Sequence, residues 1–119
     1  MSQMGRAVTT IISGNSTQTY ILPKTVTVIG KRAFDSAQSL RSVKFNEGLQ
    51  KLEKMCFAYS GIQELTLFEN VSAIEDNAFF ECRHLQSADL RAANNLVELG
   101  KGAFSQCDNL KCLLLNDNI

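Results

Sequence analysis

The sequence predicts an α/β solenoid: similar turns stacked along one axis, each with a short parallel strand on a concave face and a short helical turn on the convex side. Three observations predict it. A six-residue phrase recurs as Ile29-Gly30-Lys31-Arg32-Ala33-Phe34, Leu52-Glu53-Lys54-Met55-Cys56-Phe57, Ile74-Glu75-Asp76-Asn77-Ala78-Phe79 and Leu99-Gly100-Lys101-Gly102-Ala103-Phe104. The four phenylalanines stand 23, 22 and 25 residues apart. Behind each of them the apolar positions continue in the same order, ending in a triplet whose two outer members are apolar. A period in the low twenties means that each turn can bury its apolar face only against the next turn.

The strands come from the triplets. After Phe34 follow Ala37, Leu40, Val43 and Phe45; after Phe79, Cys82, Leu85, Ala88 and Leu90; after Phe104, Cys107, Leu110, Leu113 and Leu115. The second repeat is one residue shorter and runs Ser60, Ile62, Leu65 and Leu67 after Phe57. The tails from Ile62 to Asn70 and from Leu110 to Asn118 fit the leucine-rich repeat template L-x-x-L-x-L-x-x-N. In the inner L-x-L the outer members face the core and the residue between them faces away. Stacking Phe45, Leu67, Leu90 and Leu115 builds a parallel ladder with rungs about 4.8 Å apart. Asn70 and Asn118 are expected to close the turn by bonding exposed backbone groups.

The helical turns come from the x-x-A-F-x-x-C/S segments, Lys31 to Ala37, Lys54 to Ser60, Asp76 to Cys82 and Lys101 to Cys107. Their Ala, Phe and Cys fall at helix-like offsets, which predicts a turn or two of α or 3₁₀ helix. Upstream, Thr17, Tyr20 and Leu22 make a degenerate rung before Pro23, and Val8 to Ile12 a capping strand; terminal repeats are expected to be atypical. The chain therefore reads as a single domain over residues 1–119, with a cap and degenerate rung over 1–25 and repeats over 26–48, 49–70, 71–95 and 96–119.

Composition narrows the function classes. A hydrophobic content of 45 % is that of a folded chain, and twelve basic residues balance twelve acidic ones, which argues against nucleic acid as a partner. The balance is global but not local: eight basic residues stand against three acidic ones up to Ser60, and four against nine beyond it. Along a solenoid this becomes a charge dipole. No stretch approaches the roughly 18 apolar residues of a membrane span. The opening residues are too short and polar for a secretory h-region, which leaves a cytoplasmic location or a surface location reached by another route.

The repeat phrase with its V-x-L tail resembles the BspA-like, or Treponema pallidum-type, leucine-rich repeat, over roughly Tyr20 to Leu115. The resemblance implies a curved solenoid with two short strands per turn. It also implies an adhesion or protein-binding module, with host extracellular-matrix or surface proteins such as fibronectin among the partners of its members. The proline that usually follows the V-x-L strand is kept only at Leu22-Pro23.

No residue pattern supports catalysis, a cofactor or a metal. Cys56, Cys82, Cys107 and Cys112 lack C-x-x-C spacing and His84 is the only histidine. Cys82 and Cys107 share a column; the rung spacing permits a bridge, but stacked side chains point the same way, so both read as free thiols. Cys112, on the strand face, is expected to be the most reactive. Glu53 and Glu75 also share a column, on a convex turn with no cleft. Asn15-Ser16-Thr17 and Asn70-Val71-Ser72 are glycosylation sequons, of use only in a secreted chain, and an Asn70 that holds its turn leaves Asn15 as the acceptor.

The outward strand positions are the binding candidates: Ser42, Lys44 and Asn46; Glu64, Thr66 and Phe68; Ser87, Asp89 and Arg91; Cys112, Leu114 and Asn116. From these a protein-binding site is expected at Lys44, Thr66, Phe68, Asp89, Arg91 and Leu114. Phe68 reads either as a binding anchor or as a cover folded over the strand edge. The expected function is a non-enzymatic protein-binding module. The alternative is end-to-end self-association through the last rung, favoured by the charge dipole.

Overall fold

A computed structural model describes the backbone of residues 6–8 and all of residues 18–117. The expected strand over Val8 to Ile12, the first sequon, Thr17 and Asn118 fall largely or wholly outside them. Among the described residues ten short strands follow one another: β1 (Arg6–Val8), β2 (Thr19–Ile21), β3 (Val26–Ile29), β4 (Ser42–Lys44), β5 (Lys51–Leu52), β6 (Glu64–Thr66), β7 (Ala73–Ile74), β8 (Ser87–Asp89), β9 (Glu98–Leu99) and β10 (Cys112–Leu114). All pairings are parallel. The odd-numbered strands form one sheet in the order β1-β3-β5-β7-β9, and each turn of the chain adds one strand to it. The even-numbered strands, each starting one residue before a V-x-L triplet and covering its first two residues, line the other side as two sheets, β2-β4 and β6-β8-β10.

Register follows the repeat. Ile29, Leu52, Ile74 and Leu99, the first residues of the phrase, pair in sequence across the odd sheet. In the even sheets Tyr20 pairs with Val43, and Leu65 with Ala88 and then Leu113. The phenylalanines stack between the two sides. Phe34 and Phe57 are 4.9 Å apart at 6°, Phe57 and Phe79 5.2 Å at 3°, and Phe79 and Phe104 5.3 Å at 2°. Tyr20 closes one end of the column, tilted against Phe34, and Phe45 meets Phe57 edge-on. These spacings are close to the strand separation of a sheet, so one ring per rung fills the axis without a gap. Phe34, Phe57 and Phe79 are fully buried.

The phrase segments are not helical. No helix occurs among the described residues, and the α/β reading with helical convex turns is corrected to an all-strand solenoid of turns and short parallel strands. The reason lies in the backbone amides. Arg32, Phe34 and Ser36 donate across to the carbonyls of Lys54, Cys56 and Ala58 in the next rung, and Met55, Phe57 and Tyr59 to those of Asp76, Ala78 and Phe80. The amides of Asn77, Phe79 and Glu81 repeat this with Lys101, Ala103 and Ser105. The intervening amides close tight turns within the rung, as Ala33 does to Gly30 and Asp35 to Arg32. An α-helix would need every amide to bond four residues back. Half of them are committed sideways instead.

That alternation needs left-handed residues two before and two after each phenylalanine. Arg32 and Ser36 have φ of 59° and 66°, Met55 and Tyr59 57° and 61°, Asn77 and Glu81 58° and 55°, and Gly102 and Gln106 71° and 63°. A non-glycine residue there costs about 1–2 kcal/mol. Each segment is held because the sideways hydrogen bonds and the buried ring between them over-determine it.

The asparagines also fall differently. Asn70 does close a turn, its Nδ2 donating to the Glu47 carbonyl at 2.9 Å. Asn46 and Asn116, expected to face outward, turn back instead. Asn46 Nδ2 donates to the carbonyls of Pro23 (2.7 Å) and Val26 (3.0 Å), and Asn116 Nδ2 to that of Ala93 (2.9 Å). At the far end Leu113 and Leu115 keep their columns but are 40 % and 42 % exposed, because no described rung lies beyond them.

Phe79 stacks on both sides, so Phe79→Ala is expected to destabilise the chain by about 3–5 kcal/mol in denaturant unfolding. Phe104→Ala, at a ring stacked on one side only and half-exposed, is expected to cost less in the same measurement.

Candidate functional site

The two even-numbered sheets do not join: β4 and β6 lie side by side without pairing. The seam falls at the shortened repeat. Where the third and fourth repeats have Arg83-His84 and Asp108-Asn109, the second has only Gly61. Gly61 passes so close to the preceding rung that a Cβ there would collide with the carbonyls of Gln38 and Leu40 and with the Arg41 guanidinium. Arg41 spans the seam, its Nη1 donating to the carbonyls of Gln38 (2.6 Å), Leu40 (3.3 Å) and Gly61 (3.4 Å). The Gln63 amide still bonds to Arg41 O at 2.8 Å. Beyond it the ladder stops. The closing bonds from Leu22 to Lys44, Leu67 to Asp89 and Leu90 to Leu114 have no Phe45-to-Thr66 counterpart among the described residues.

The open seam is a cleft of about 430 Å³, bordered by Ser42, Lys44, Phe45, Glu64, Thr66 and Phe68 with the buried Val43 and Leu65 beneath. Phe68 borders two more clefts on the turns that follow the strands. One, of about 530 Å³, is lined by Lys24, Phe45, Asn46, Glu47 and Gly48; the other, of about 350 Å³, by Glu47, Glu69, Asn70, Ala92 and Asn94. The half-buried ring is thus a wall common to three depressions.

The residues singled out in the sequence separate into groups. Lys44, Thr66 and Phe68 come together around the seam. Thr66 is in register with Asp89 and Asp89 with Leu114, which carries the same column across two further rungs. Asp89 and Arg91 are not two independent sites: Arg91 Nε and Nη2 grip the two carboxylate oxygens at 3.0 and 2.9 Å, and the Arg91 amide adds a bond at 3.1 Å. The guanidinium, with the amide second, holds the Asp89 carboxyl below the usual carboxylate range. Sequence reasoning missed Glu47, Glu69 and Arg41. The one-residue deletion was the signal that could have pointed to Arg41, since a shortened turn leaves carbonyls to be satisfied.

The other constellations are structural. Glu75 pairs with Lys51 (3.9 Å), while Glu53 Oε1 accepts the Lys31 amide (3.2 Å), so that column braces neighbouring rungs. The four cysteines are free. Cys82 donates to the carbonyl of Phe57 and Cys107 to that of Phe79, at 3.1 and 3.0 Å, each one rung back. Sharing a hydrogen bond with the Cys107 thiol, and then burial, pushes the Cys82 thiol up; burial does the same to Cys56. Cys112 and Cys107 are half-exposed.

Stacked parallel strands joined by short turns, with an asparagine after the strand, define a leucine-rich repeat solenoid. The model of the BspA type leucine rich repeat region matches residues 11–119 in six copies. The chain belongs to this family. Its repeats generally build protein-interaction or scaffold surfaces. Three crystal structures share the fold. A leucine rich cell surface protein from Faecalibacterium prausnitzii A2-165 is 23 % identical with a TM-score of 0.76, covering 82 % of this chain and 26 % of that one. A leucine-rich repeat protein from Bacteroides ovatus is 23 % identical (TM-score 0.56; 81 % and 30 % covered), and the T. pallidum leucine rich repeat protein 22 % identical (0.65; 85 % and 56 %). The chain therefore spans between about a quarter and just over half of their lengths. No curated protein matches it.

Two measurements check this geometry. In an NMR titration Arg91→Ala is expected to raise the Asp89 pKa toward the ordinary carboxylate range. The native carboxylate is favoured over the unfolded one, so its stabilising share is present above the unfolded pKa and lost as pH falls through the lowered folded value; the variant should lose that acid-side slope. A thiol reagent is expected to label Cys112 and Cys107 in the native chain, and Cys56 and Cys82 only on unfolding.

Proposed function

We propose that the chain is a non-enzymatic protein-binding module, adhesion-like or scaffolding, that engages its partner with the even-numbered strand face centred on Phe68. The observation that carries this reading is the break between β4 and β6, which opens a cleft beside Lys44, Thr66 and a partly exposed aromatic ring in the middle of an otherwise polar strand face. An aromatic wall in a desolvating cleft is the kind of group that dominates protein interfaces. Asp89 and Arg91 supply a fixed ion pair at the edge of the same face, and Leu114 an apolar position farther along its column. A host matrix or surface protein is the partner class that the family membership favours.

A second reading, end-to-end self-association, is favoured by a separate observation. Leu99, Leu113 and Leu115 are each about two-fifths exposed on the last described rung, and the charge dipole would bring opposite signs together. Light scattering across salt concentrations tests it: assembly that dissolves as salt rises is expected, and a monomer at every ionic strength overturns it.

For the leading reading, wild type and Phe68→Ala are used side by side to capture proteins from host matrix and native lysate. A partner retained by wild type and lost with Phe68→Ala is expected, with Asp89→Ala weakening it. Partners captured equally by both forms would place binding elsewhere on the molecule.

A further inference from the structure

The three clefts around Phe68 differ in charge, and the difference points to a chemistry. Beside the two phenylalanines of the larger turn cleft stand Lys24 and Glu47; beside the seam stand Lys44 and Glu64. The third cleft, about 350 Å³, has Phe68 and Ala92 as apolar wall, and Glu47 and Glu69 are its only charged lining residues. The ion pairs among the described residues are Arg32–Asp35, Lys51–Glu75, Arg83–Glu81 and Arg91–Asp89. Neither Glu47 nor Glu69 belongs to one. The backbone that presents them is fixed, because the Glu47 carbonyl accepts Asn70 Nδ2 (2.9 Å) and the Glu69 carbonyl accepts Asn95 Nδ2 (3.0 Å). An apolar notch with an aromatic face and two carboxylates is complementary to one kind of side chain, an apolar stem that ends in a delocalised cation.

We infer that this notch takes an arginine or lysine side chain from an extended segment of the partner protein. The stem lies on Phe68, the cation sits between Glu47 and Glu69, and a neighbouring apolar residue of the same segment enters the Phe45–Phe68 cleft. The inference rests on the proposed protein-binding function and names the chemistry of its partner. A notch of this volume stands at the lower end of ligand sites, which suits one side chain rather than a folded surface.

A random-peptide display library selected on the immobilised chain tests the proposal, with the recovered peptides synthesised and measured by fluorescence anisotropy. Peptides enriched in Arg or Lys are expected, with affinity falling as salt rises and dropping about tenfold or more when the cation is replaced by glutamine in the peptide. The double variant Glu47→Gln/Glu69→Gln should give the same loss, and Glu47→Lys/Glu69→Lys should select acidic peptides. Both glutamates are exposed, so thermal unfolding of these variants should match wild type. Peptides that depend on Phe68 but carry no cation and ignore both glutamate variants would overturn this inference and leave the protein-binding reading standing. Peptides that ignore Phe68→Ala, or a library that yields none, would overturn both.

Discussion

The backbone amides of the phenylalanine segments carry the architecture. By donating alternately within the rung and across to the next, they lock each turn to its successor at the spacing at which aromatic rings stack. The strands alone, two to four residues each, are too short to do this. Sideways bonding, ring stacking and the odd-numbered sheet reinforce one another, and stability in such an array is a sum of neighbour terms rather than the property of one central core.

The same constraint explains why the outer turns are strained and yet regular. Among the described residues seven non-glycine residues sit at positive φ, always two positions from a phenylalanine. Apolar spacing could not reveal them, because Ala, Phe and Cys at those offsets satisfy a helix and a left-handed turn equally well. A subtler signal was present. Asn77 and Gly102, the residue types most tolerant of that conformation, occupy the same place in their repeats. Arg32 and Met55 in the other two hide it.

The clefts of the strand face arise where the repetition fails. One missing residue near Gly61 interrupts the even-numbered ladder, Arg41 satisfies the carbonyls left over, and the cleft beside Phe68 opens. An unbroken sheet would have closed it. Glu47 and Glu69 lie a full rung apart in sequence and border one cleft only because consecutive turns stack. Asp89 and Arg91, two residues apart on one strand face, pair with each other and so leave the list of independent contacts.

By itself the sequence determined the period, the register and the core columns, because these depend on which apolar side chains recur and at what spacing. It also determined the family, whose signature is that recurrence. The tertiary structure decided the rest. The outer turns became left-handed loops instead of helices because their amides bond between rungs, a choice no single repeat can make. Asn46 and Asn116 turned inward because carbonyls from a neighbouring segment stood within reach. The clefts around Phe68 exist because two turns of unequal length lie side by side, and that inequality becomes a shape only when they stack.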